Sequence, residues 1–456
     1  MPFILMLSLT GLLMLVSPWT DNWQYGNKLI RVGVPVSPSA MRTTAASQLA
    51  TVIQAYPNLV AAQYVPPIER NQSSVFKMRG ENFATLLVFV NPYTGEILGD
   101  FKGADRWYSI ADEIHGTLMI GNLGDLLIEL SAGLMIFLVF SGLYLHWPRN
   151  RKSVKEMLLP DFFLQLFKPE FLLPRNVRGL LRKKQVSRTT WKAIHSSLGF
   201  YLTLFILFFA LTGLAWTGVW GQQFVQPYSS FPKDKSASAW ASDVNAYVDA
   251  THGSLNDGQL NEIPWNLEQV ALPQSTISNN DNSVGLDQIV NQGLGLNFQL
   301  SENNRFRVAL PLNSTGVYTL MSIASSRDVV NPMNDRTLHI DQYSSEVLAD
   351  ITWQDYNLGA KAMALGIPLH KGTLGLWNII LASIVCLLLI LLSVSGVVLW
   401  WRRKPSGEFG IPRAGALANI ERSEKAIIVI GFIIAIAFPI TGIAMALFGL
   451  LEVCLS

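Results

Sequence analysis

The sequence predicts a membrane protein in which an α-helical bundle of about five transmembrane helices carries two α+β modules outside the membrane. Half of the 456 residues are hydrophobic and only 14% are charged, and the mean hydropathy is +0.30. This composition supplies more apolar surface than one soluble core can bury. Two long stretches of the sequence contain the same residue types in the same order, and each stretch begins with a histidine. This similarity supports the same fold class.

The two stretches form an internal repeat of a membrane helix. Each begins with a histidine, His115 or His370, and continues through glycines and a long apolar run to a Ser-Gly pair and then to arginine. The distance from the histidine to the serine of the pair agrees between the copies to within one residue. Hydrophobicity alone does not produce such a match, so we predict a repeated histidine-headed helix.

Five predominantly apolar runs supply the candidate spans. Four of them reach the roughly 20 residues that a bilayer core requires, and the shorter first run is predicted to be a retained but truncated helix. The predicted order is a truncated transmembrane helix (1–18), a first outer module (19–112), a second transmembrane helix (113–147), a basic loop (148–194), a third transmembrane helix (195–220), a second outer segment (221–368), a fourth transmembrane helix (369–401), a loop (402–425) and a fifth transmembrane helix (426–451).

Loop charges predict the orientation of these spans. The loop 148–194 is rich in Lys and Arg, whereas the segment 221–366 carries more acidic than basic residues. Because positively charged short loops stay in the cytoplasm, we predict a cytoplasmic N-terminus and cytoplasmic loops at 148–194 and 402–425. The net charge is only +2, which argues against nucleic acid as a partner and favours membrane lipid headgroups as the partners of the basic residues.

Each outer segment is predicted to contain a helix packed on a β-hairpin. The first segment contains a helical pattern at 47–55, strand patterns at 74–78 and 85–90, and a turn at 91–96 that leads into 97–98. The second segment repeats this order with a helix at 286–294, strands near 306–311, 317–323 and 337–341, and a turn at 342–345. The two segments are therefore predicted to hold similar modules.

The hairpins and one helix resemble a known family. FVNPYTGEILGD (89–100) and HIDQYSSEVLAD (339–350) resemble the hairpin of the PepSY module, and the helix that begins at Trp191 and continues past His195 resembles the signature helix of PepSY-associated transmembrane proteins. The resemblance covers nearly the whole chain. It extends to the small-residue pairs Thr10-Gly11, Thr212-Gly213, Ser395-Gly396 and Thr441-Gly442, which we interpret as positions where helices pack closely.

This resemblance implies periplasmic PepSY-like modules on a multi-pass protein of the bacterial inner (plasma) membrane. Similar proteins include ferric-siderophore reductases that bind b-type haem and others that are called iron-regulated membrane proteins. The first span of the family usually opens with its own histidine, and this chain begins too late to contain it. We expect either a start upstream of Met1 or the loss of one family histidine.

Four of the six histidines flank predicted spans. His115 and His370 are predicted at the outer ends of their helices, and His146 and His195 at the inner ends. Two imidazoles from different helices at one depth can ligate a haem iron from both faces. We therefore predict two b-type haems as cofactors, with these four histidines as axial ligands. The alternative for each histidine is an interfacial polar residue, and His146 lacks a counterpart in the second copy.

The helix that carries two of these histidines is predicted to break. A continuous helix from His115 to His146 would be about 46 Å long, beyond a roughly 30 Å hydrocarbon core. Gly121 to Gly124 is the predicted break. Just after it, Asp125 and Glu129 share one helix face, and Glu129 is either an ion or proton site in the membrane or a carboxylate that faces water at the headgroups.

The resemblance and the histidines together suggest a haem-containing electron-transfer protein, an oxidoreductase that reduces ferric-siderophore iron or another periplasmic acceptor. A quinol or a cytoplasmic reductant would be the electron donor, since the sequence contains no nucleotide-binding motif. A non-enzymatic PepSY membrane binding protein is one alternative, and a transporter component in iron uptake is another. The presence of haem separates the first hypothesis from the other two.

Overall fold

The computed structural model describes residues 2–33, 41–80, 85–146, 188–229, 252–255, 263–268, 270–276, 282–403 and 422–455. The chain divides into two compact units. The membrane unit comprises Met1–Leu12, Ile114–Gln223 and Ser383–Ser456, and the sheet unit comprises Leu13–Glu113 and Phe224–Ala382. Most of the predicted loops at 148–194 and 402–425 lies outside the described residues.

Helices and strands alternate in blocks along the chain. The longer helices are α1 (Pro2–Leu15), α2 (Ser17–Tyr25), α3 (Ala45–Ala55), α4 (Trp107–Thr117), α5 (Asn122–His146), α6 (Arg188–Leu214), α7 (Leu286–Gly295), α8 (Leu358–Lys371), α9 (Leu376–Trp401), α10 (Arg422–Ala437) and α11 (Pro439–Leu455). The strands are β1 (Val60–Val65), β2 (Ser74–Arg79), β3 (Thr85–Val90), β4 (Ile97–Lys102), β5 (Arg307–Ala309), β6 (Val317–Ser322), β7 (Arg336–Asp341) and β8 (Val347–Thr352).

The sheet unit contains one eight-stranded antiparallel sheet in the order β4-β3-β2-β1-β5-β6-β7-β8. The predicted helices at 47–55 and 286–294 and the predicted strands are confirmed, with boundaries shifted by a few residues. Strand β1 was not predicted, because Ala61-Ala62-Gln63 lacks the large alternating side chains that mark a strand. This strand pairs with β5 through Gln63–Ala309 and Tyr64–Val308. The two predicted modules therefore share a single sheet.

One face of this sheet packs against α3 and α7. Successive side chains of a strand point to opposite faces, and the fully buried Phe76, Val88, Leu320 and Leu338 lie on this face with helix residues such as Val52 and Ile289. Asp287 of α7 links the two helices, because its carboxylate accepts hydrogen bonds from the first backbone N–H groups of α3, at Ala45 (2.7 Å) and Ala46 (3.0 Å). A carboxylate at a helix N-terminus satisfies otherwise unpaired donors.

Several helices are long and apolar enough to cross a membrane. Within the described ranges these are α5, α6 and α9. The helix pair Pro2–Leu15 and Ser17–Ile30, bent by 54°, meets the same criterion as a fourth, broken span. The truncated helix predicted at 1–18 is thus bent after Leu15, and helical structure continues beyond the bend to Ile30.

The fifth predicted span, 426–451, is wrong as a single helix. The structure divides it into α10 and α11, which meet at Phe438. Pro439 has no backbone N–H and cannot continue the hydrogen-bond ladder of α10. The two helices turn back on each other, since a Cβ on Gly442 would lie 2.4 Å from the carbonyl oxygen of Ala435 and one on Gly431 would touch Met445 Cε at 3.4 Å. The uniform hydrophobicity of the segment conceals this hairpin.

The predicted break between His115 and His146 is confirmed. Leu118, Met119 and Gly121 have positive φ values of 54°, 60° and 60°, and they separate α4 from α5. Only glycine fits at Gly124, because a Cβ there would lie 1.6 Å from the carbonyl oxygen of Thr117. The predicted helix 113–147 is therefore two helices, with His115 on the shorter one.

The second copy of the repeat has the same construction, which we did not predict. The stretch 369–401 is not one helix, because α8 ends at Lys371 and α9 begins at Leu376. Between them, Gly372 and Gly375 adopt φ values of +68° and +91°, a conformation that glycine adopts without steric strain. In both copies the histidine therefore lies on a short helix that precedes the long apolar one.

Candidate functional site

His195 is held by a hydroxyl group and a carbonyl group of α9. Its Nδ1 atom lies 2.9 Å from Ser395 Oγ and 3.2 Å from the carbonyl oxygen of Leu392. The Ser395 hydroxyl donates its own hydrogen to the same Leu392 carbonyl at 2.7 Å, so Oγ acts as an acceptor towards the ring. Nδ1 of His195 therefore carries the proton, and the lone pair of the neutral ring is on Nε2. This is the tautomer that a histidine adopts when Nε2 binds a metal.

His115 of α4 has the same arrangement with α1. Its Nδ1 atom lies 2.8 Å from Thr10 Oγ1. The Thr10 hydroxyl donates to the carbonyl oxygen of Met6 at 2.9 Å, which leaves Oγ1 as the acceptor for the Nδ1 proton of His115. Both rings therefore place their lone pair on Nε2.

Thr10 and Ser395 are the functional residues that the sequence analysis missed. Both were interpreted only as packing positions, since each is the hydroxyl member of a Thr-Gly or Ser-Gly pair. The structure shows that these hydroxyls orient histidines from helices that are distant in the chain. Each hydroxyl lies one turn or more inside an apolar helix, and this position could have indicated its role. A hydroxyl in the middle of a helix can accept a hydrogen bond from a neighbouring helix while it donates to its own backbone.

His146 is the last residue of α5 and lies against α6. Its ring centroid is 5.7 Å from that of Phe200. Nε2 of His146 is buried and has no hydrogen-bond partner among the described residues. A buried polar nitrogen without a partner costs about 1–3 kcal/mol. A ligand at this nitrogen would remove that penalty, and the role of His146 as a haem ligand stays a prediction.

His370 lies in the last turn of α8, two residues before the left-handed Gly372. It belongs to the sheet unit, whereas His115, His146 and His195 belong to the membrane unit. The structure thus packs the helices of His146 and His195 against each other within one unit. The pairing of His115 with His370 stays a prediction.

Glu129 and Asp125 bind backbone N–H groups of the turns that follow α6. The predicted third span, 195–220, ends as a helix at Leu214, and the residues after it form these turns. Asp125 Oδ2 accepts from Gly218 N at 2.8 Å, and Glu129 Oε2 accepts from Trp220 N at 3.1 Å and Val219 N at 3.3 Å. Glu129 is only 1% exposed. The alternative that this carboxylate faces water is therefore wrong.

No three His, Cys, Asp or Glu side chains converge as a metal site anywhere in the described ranges. A ligand set of two histidines per iron, as haem requires, is compatible with this finding. Cys386, in α9, is a buried free thiol.

Comparison with known proteins supports the resemblance found in the sequence. The profile of the family described as PepSY-associated TM region matches residues 1–403. This range contains both outer segments and the three long apolar helices. No curated protein matches the chain.

Proposed function

Because the chain belongs to the PepSY-associated TM region family, we propose that this membrane protein carries electrons through haem to ferric-siderophore iron or another acceptor outside the cell membrane. A membrane quinol or a cytoplasmic reductant supplies the electrons. In this proposal the protein spans the bacterial inner membrane several times with its N-terminus in the cytoplasm, and the sheet unit lies in the periplasm. The main support for the proposal is that Nδ1 of His115 and Nδ1 of His195 each form a hydrogen bond with a side-chain hydroxyl group.

The four histidines would hold the haems in two layers. His115 and His370 are the proposed ligands of the outer haem, and His146 and His195 those of the inner haem. The fit rests on the tautomers of His115 and His195 and on the buried, unpartnered Nε2 of His146. When bound, haem supplies one-electron redox chemistry at a potential that axial ligation and burial adjust.

The chain contributes orientation and exclusion of water. Thr10 and Ser395 fix the proton on Nδ1 and hold the plane of each ring, which increases the basicity of the other nitrogen. Along α6, the buried Leu198, Leu202 and Ile206 pack against apolar side chains of α5 and α9. This apolar packing lowers the local dielectric around the inner histidines. The sheet unit would provide the surface on which the acceptor docks.

An optical spectrum tests the proposal directly. The full-length protein is purified in detergent from a haem-replete host, and spectra are recorded before and after reduction with dithionite while haem is quantified per chain. We expect sharp reduced bands of low-spin b-type haem at close to two haems per chain. A colourless protein would contradict the proposal and leave the non-enzymatic PepSY binding protein as the better account.

Single substitutions test the pairing. His115→Ala and His370→Ala are expected to remove the same spectral component, and His146→Ala and His195→Ala are expected to remove the other. His252→Gln is the control, because His252 lies in the sheet unit and has no proposed ligand role. Loss of different components in His115→Ala and His370→Ala would contradict the outer pair without removing the evidence for haem.

A further inference from the structure

The membrane unit contains a carboxylate oxygen that lacks a partner. Oε2 of Glu129 accepts two backbone hydrogen bonds, but Oε1 is buried and has no hydrogen-bond partner among the described residues. Glu129 lies in the second turn of α5, within an apolar span. A charged oxygen in such surroundings is strongly disfavoured unless a positive charge or a donor compensates it. The neighbourhood of Oε1 is therefore where a ligand is expected.

A second unpartnered oxygen lies on the same stripe of α5. Thr441 is fully buried, and its Oγ1 has no hydrogen-bond partner in the described part of the chain. This oxygen lies directly against Gly133, because a Cβ on Gly133 would be only 2.0 Å from it. Gly133 follows Glu129 by four residues, and such positions lie about 5–6 Å apart on one helix face. Thr441 Oγ1 therefore lies within about one helical turn of the Glu129 side chain.

The break between α10 and α11 adds carbonyl oxygens to this region. Pro439 cannot donate to the carbonyl of Ala435, so the end of α10 has lost part of its internal hydrogen bonding. Trp220 connects this break to the turn that binds Glu129, because its indole Nε1 donates to the carbonyl of Ala437 at 3.0 Å and its ring stacks on Phe438 at 5.6 Å. Broken helix ends with exposed carbonyls are a recurrent way to bind cations inside membranes.

A cluster of buried apolar side chains lies next to this region. Leu214, Ile434 and Phe438 are nearly fully buried and form one cluster with α5 residues such as Ala132. A carboxylate and a hydroxyl next to such a cluster have few polar partners other than a bound ligand. One small ligand that both oxygens bind would explain why neither oxygen has a protein partner.

We propose that Glu129 and Thr441 bind a monovalent cation of the size of Na⁺ in the membrane unit. Carboxylate, hydroxyl and carbonyl oxygens are the ligands that hard cations prefer. Asp125, one turn before Glu129, already uses Oδ2 to accept from Gly218 N, and the described ranges contain no cluster of three His, Cys, Asp or Glu side chains. The single unpartnered carboxylate oxygen of Glu129 balances one positive charge, which favours a monovalent over a divalent cation. The site does not depend on haem, so it goes beyond the proposed electron transfer.

Thermal unfolding of the full-length protein in detergent tests the site. The melting temperature is measured as NaCl replaces choline chloride at constant ionic strength, with KCl as a second comparison. We expect a saturable rise of a few degrees with Na⁺, a smaller rise with K⁺ and none with choline, because a ligand that binds only the folded state stabilises it. No Na⁺-specific rise in the wild type would overturn the proposal, whether or not the protein contains haem.

Two variants locate the response. Glu129→Gln and Thr441→Val are expected to abolish or strongly reduce the Na⁺-dependent rise. Thr212→Val is the matched control, because the Thr212 hydroxyl of the same unit already donates to the carbonyl of Phe208 at 2.6 Å, and it should keep the full response. A rise that persists in both site variants would overturn the proposal, and so would a wild-type rise that follows pH and not Na⁺, which would indicate protonation of the carboxylate.

Discussion

His252 and His339 meet inside the sheet unit with their Nε2 atoms 2.9 Å apart. Both residues are fully buried. His252 Nδ1 donates to the carbonyl of Val270 at 2.7 Å, since a carbonyl only accepts. Nε2 of the neutral His252 ring therefore accepts from Nε2–H of His339, and Nδ1 of His339 accepts from the hydroxyl of Thr319 at 3.0 Å. Protonation of His252 would break this chain, because it would place the N–H groups of the two Nε2 atoms opposite each other.

We predict that acid destabilises the sheet unit through this pair. Burial lowers the pKa of His252 to about 4, and burial together with His252 lowers the pKa of His339 well below its usual value. The unfolded chain titrates near the ordinary histidine pKa of about 6.5 and so binds more protons below that pH than the folded chain does. The free energy of unfolding should therefore be fully retained above about pH 6.5 and fall by up to about 1.4 kcal/mol per pH unit for each histidine below it.

The measurement is thermal unfolding of the full-length protein between pH 7.5 and pH 5, compared with His252→Gln. Burial raises the pKa of Asp335, which stabilises the fold in acid and opposes the histidines. The difference between wild type and variant is therefore the informative quantity. Equal pH slopes in the two proteins would contradict the role of the pair.

We predict that the buried ion pair of Arg307 and Asp328 stabilises the sheet far more than an exposed pair does. Asp328 Oδ2 accepts from Arg307 Nη2 at 2.8 Å and Nε at 3.0 Å, and its side chain is fully buried. Asp328→Ala should lower the free energy of unfolding by about 3–5 kcal/mol, because the buried guanidinium of Arg307 loses its carboxylate partner. Chemical denaturation followed by tryptophan fluorescence measures this loss.

The matched control is Asp350→Ala on the same sheet. Asp350 forms a bidentate pair with Arg336, but its side chain is 38% exposed. Water can take the place of this carboxylate beside Arg336, so we expect the free energy of unfolding to fall by only about 0–1 kcal/mol. Equal losses in the two variants would show that burial does not set the strength of these pairs.

We predict that α5 and α11 lie so close together at Gly133 that a larger residue there destabilises the membrane unit. A methyl group at this position would lie 2.0 Å from Thr441 Oγ1 and 3.4 Å from Phe438 Cβ. Gly133→Ala should therefore destabilise the unit by about 1–3 kcal/mol through overpacking. Gly142→Ala is the control, since nothing lies within 4 Å of a Cβ there. Thermal inactivation in detergent measures both, and similar results for the two glycines would contradict the contact.

We predict that the hydroxyls behind the histidines strengthen haem binding. Thr10→Val and Ser395→Ala remove the acceptors of the Nδ1 protons of His115 and His195. Loss of such a partner typically weakens metal binding about 10–100-fold. Haem retention during apo-myoglobin competition measures this effect. Ser141→Ala is the control, because the Ser141 hydroxyl donates to the carbonyl of Leu138 in its own helix; an equal loss there would indicate a general packing effect.

Local patterns in the sequence predicted most elements of the fold. Thr85–Val90 is a compact run of β-branched and large apolar residues, and it is a strand, while the glycines at 121 and 124 marked a real helix break. Strand β1 was not predicted because two of its six residues are alanine, and because it pairs with β5, which lies far away in the sequence. The hairpin of α10 and α11 was not predicted, because hydropathy does not distinguish one long helix from two shorter ones.

The partners of the site histidines could not be predicted for a different reason. Thr10 and His115 are separated by 105 residues, and His195 and Ser395 by 200. Sequence spacing identifies residues that share a helix face, but it does not identify which helices pack together. The sequence itself indicated His115 and His370 through the repeat and His195 through the family resemblance.

The pairing of β1 with β5 has a consequence for biosynthesis. Gln63 and Ala309 lie opposite each other in the sheet, although the ribosome adds one long after the other. At about 5–20 residues per second, the first half-sheet waits on the order of 10–50 s before its partner strand exists. During that interval β1 is an open strand edge, which is prone to pairing with other chains. Synthesis of the second half of the sheet is thus the step that closes the edge, and slow elongation between the two halves should favour aggregation of nascent chains.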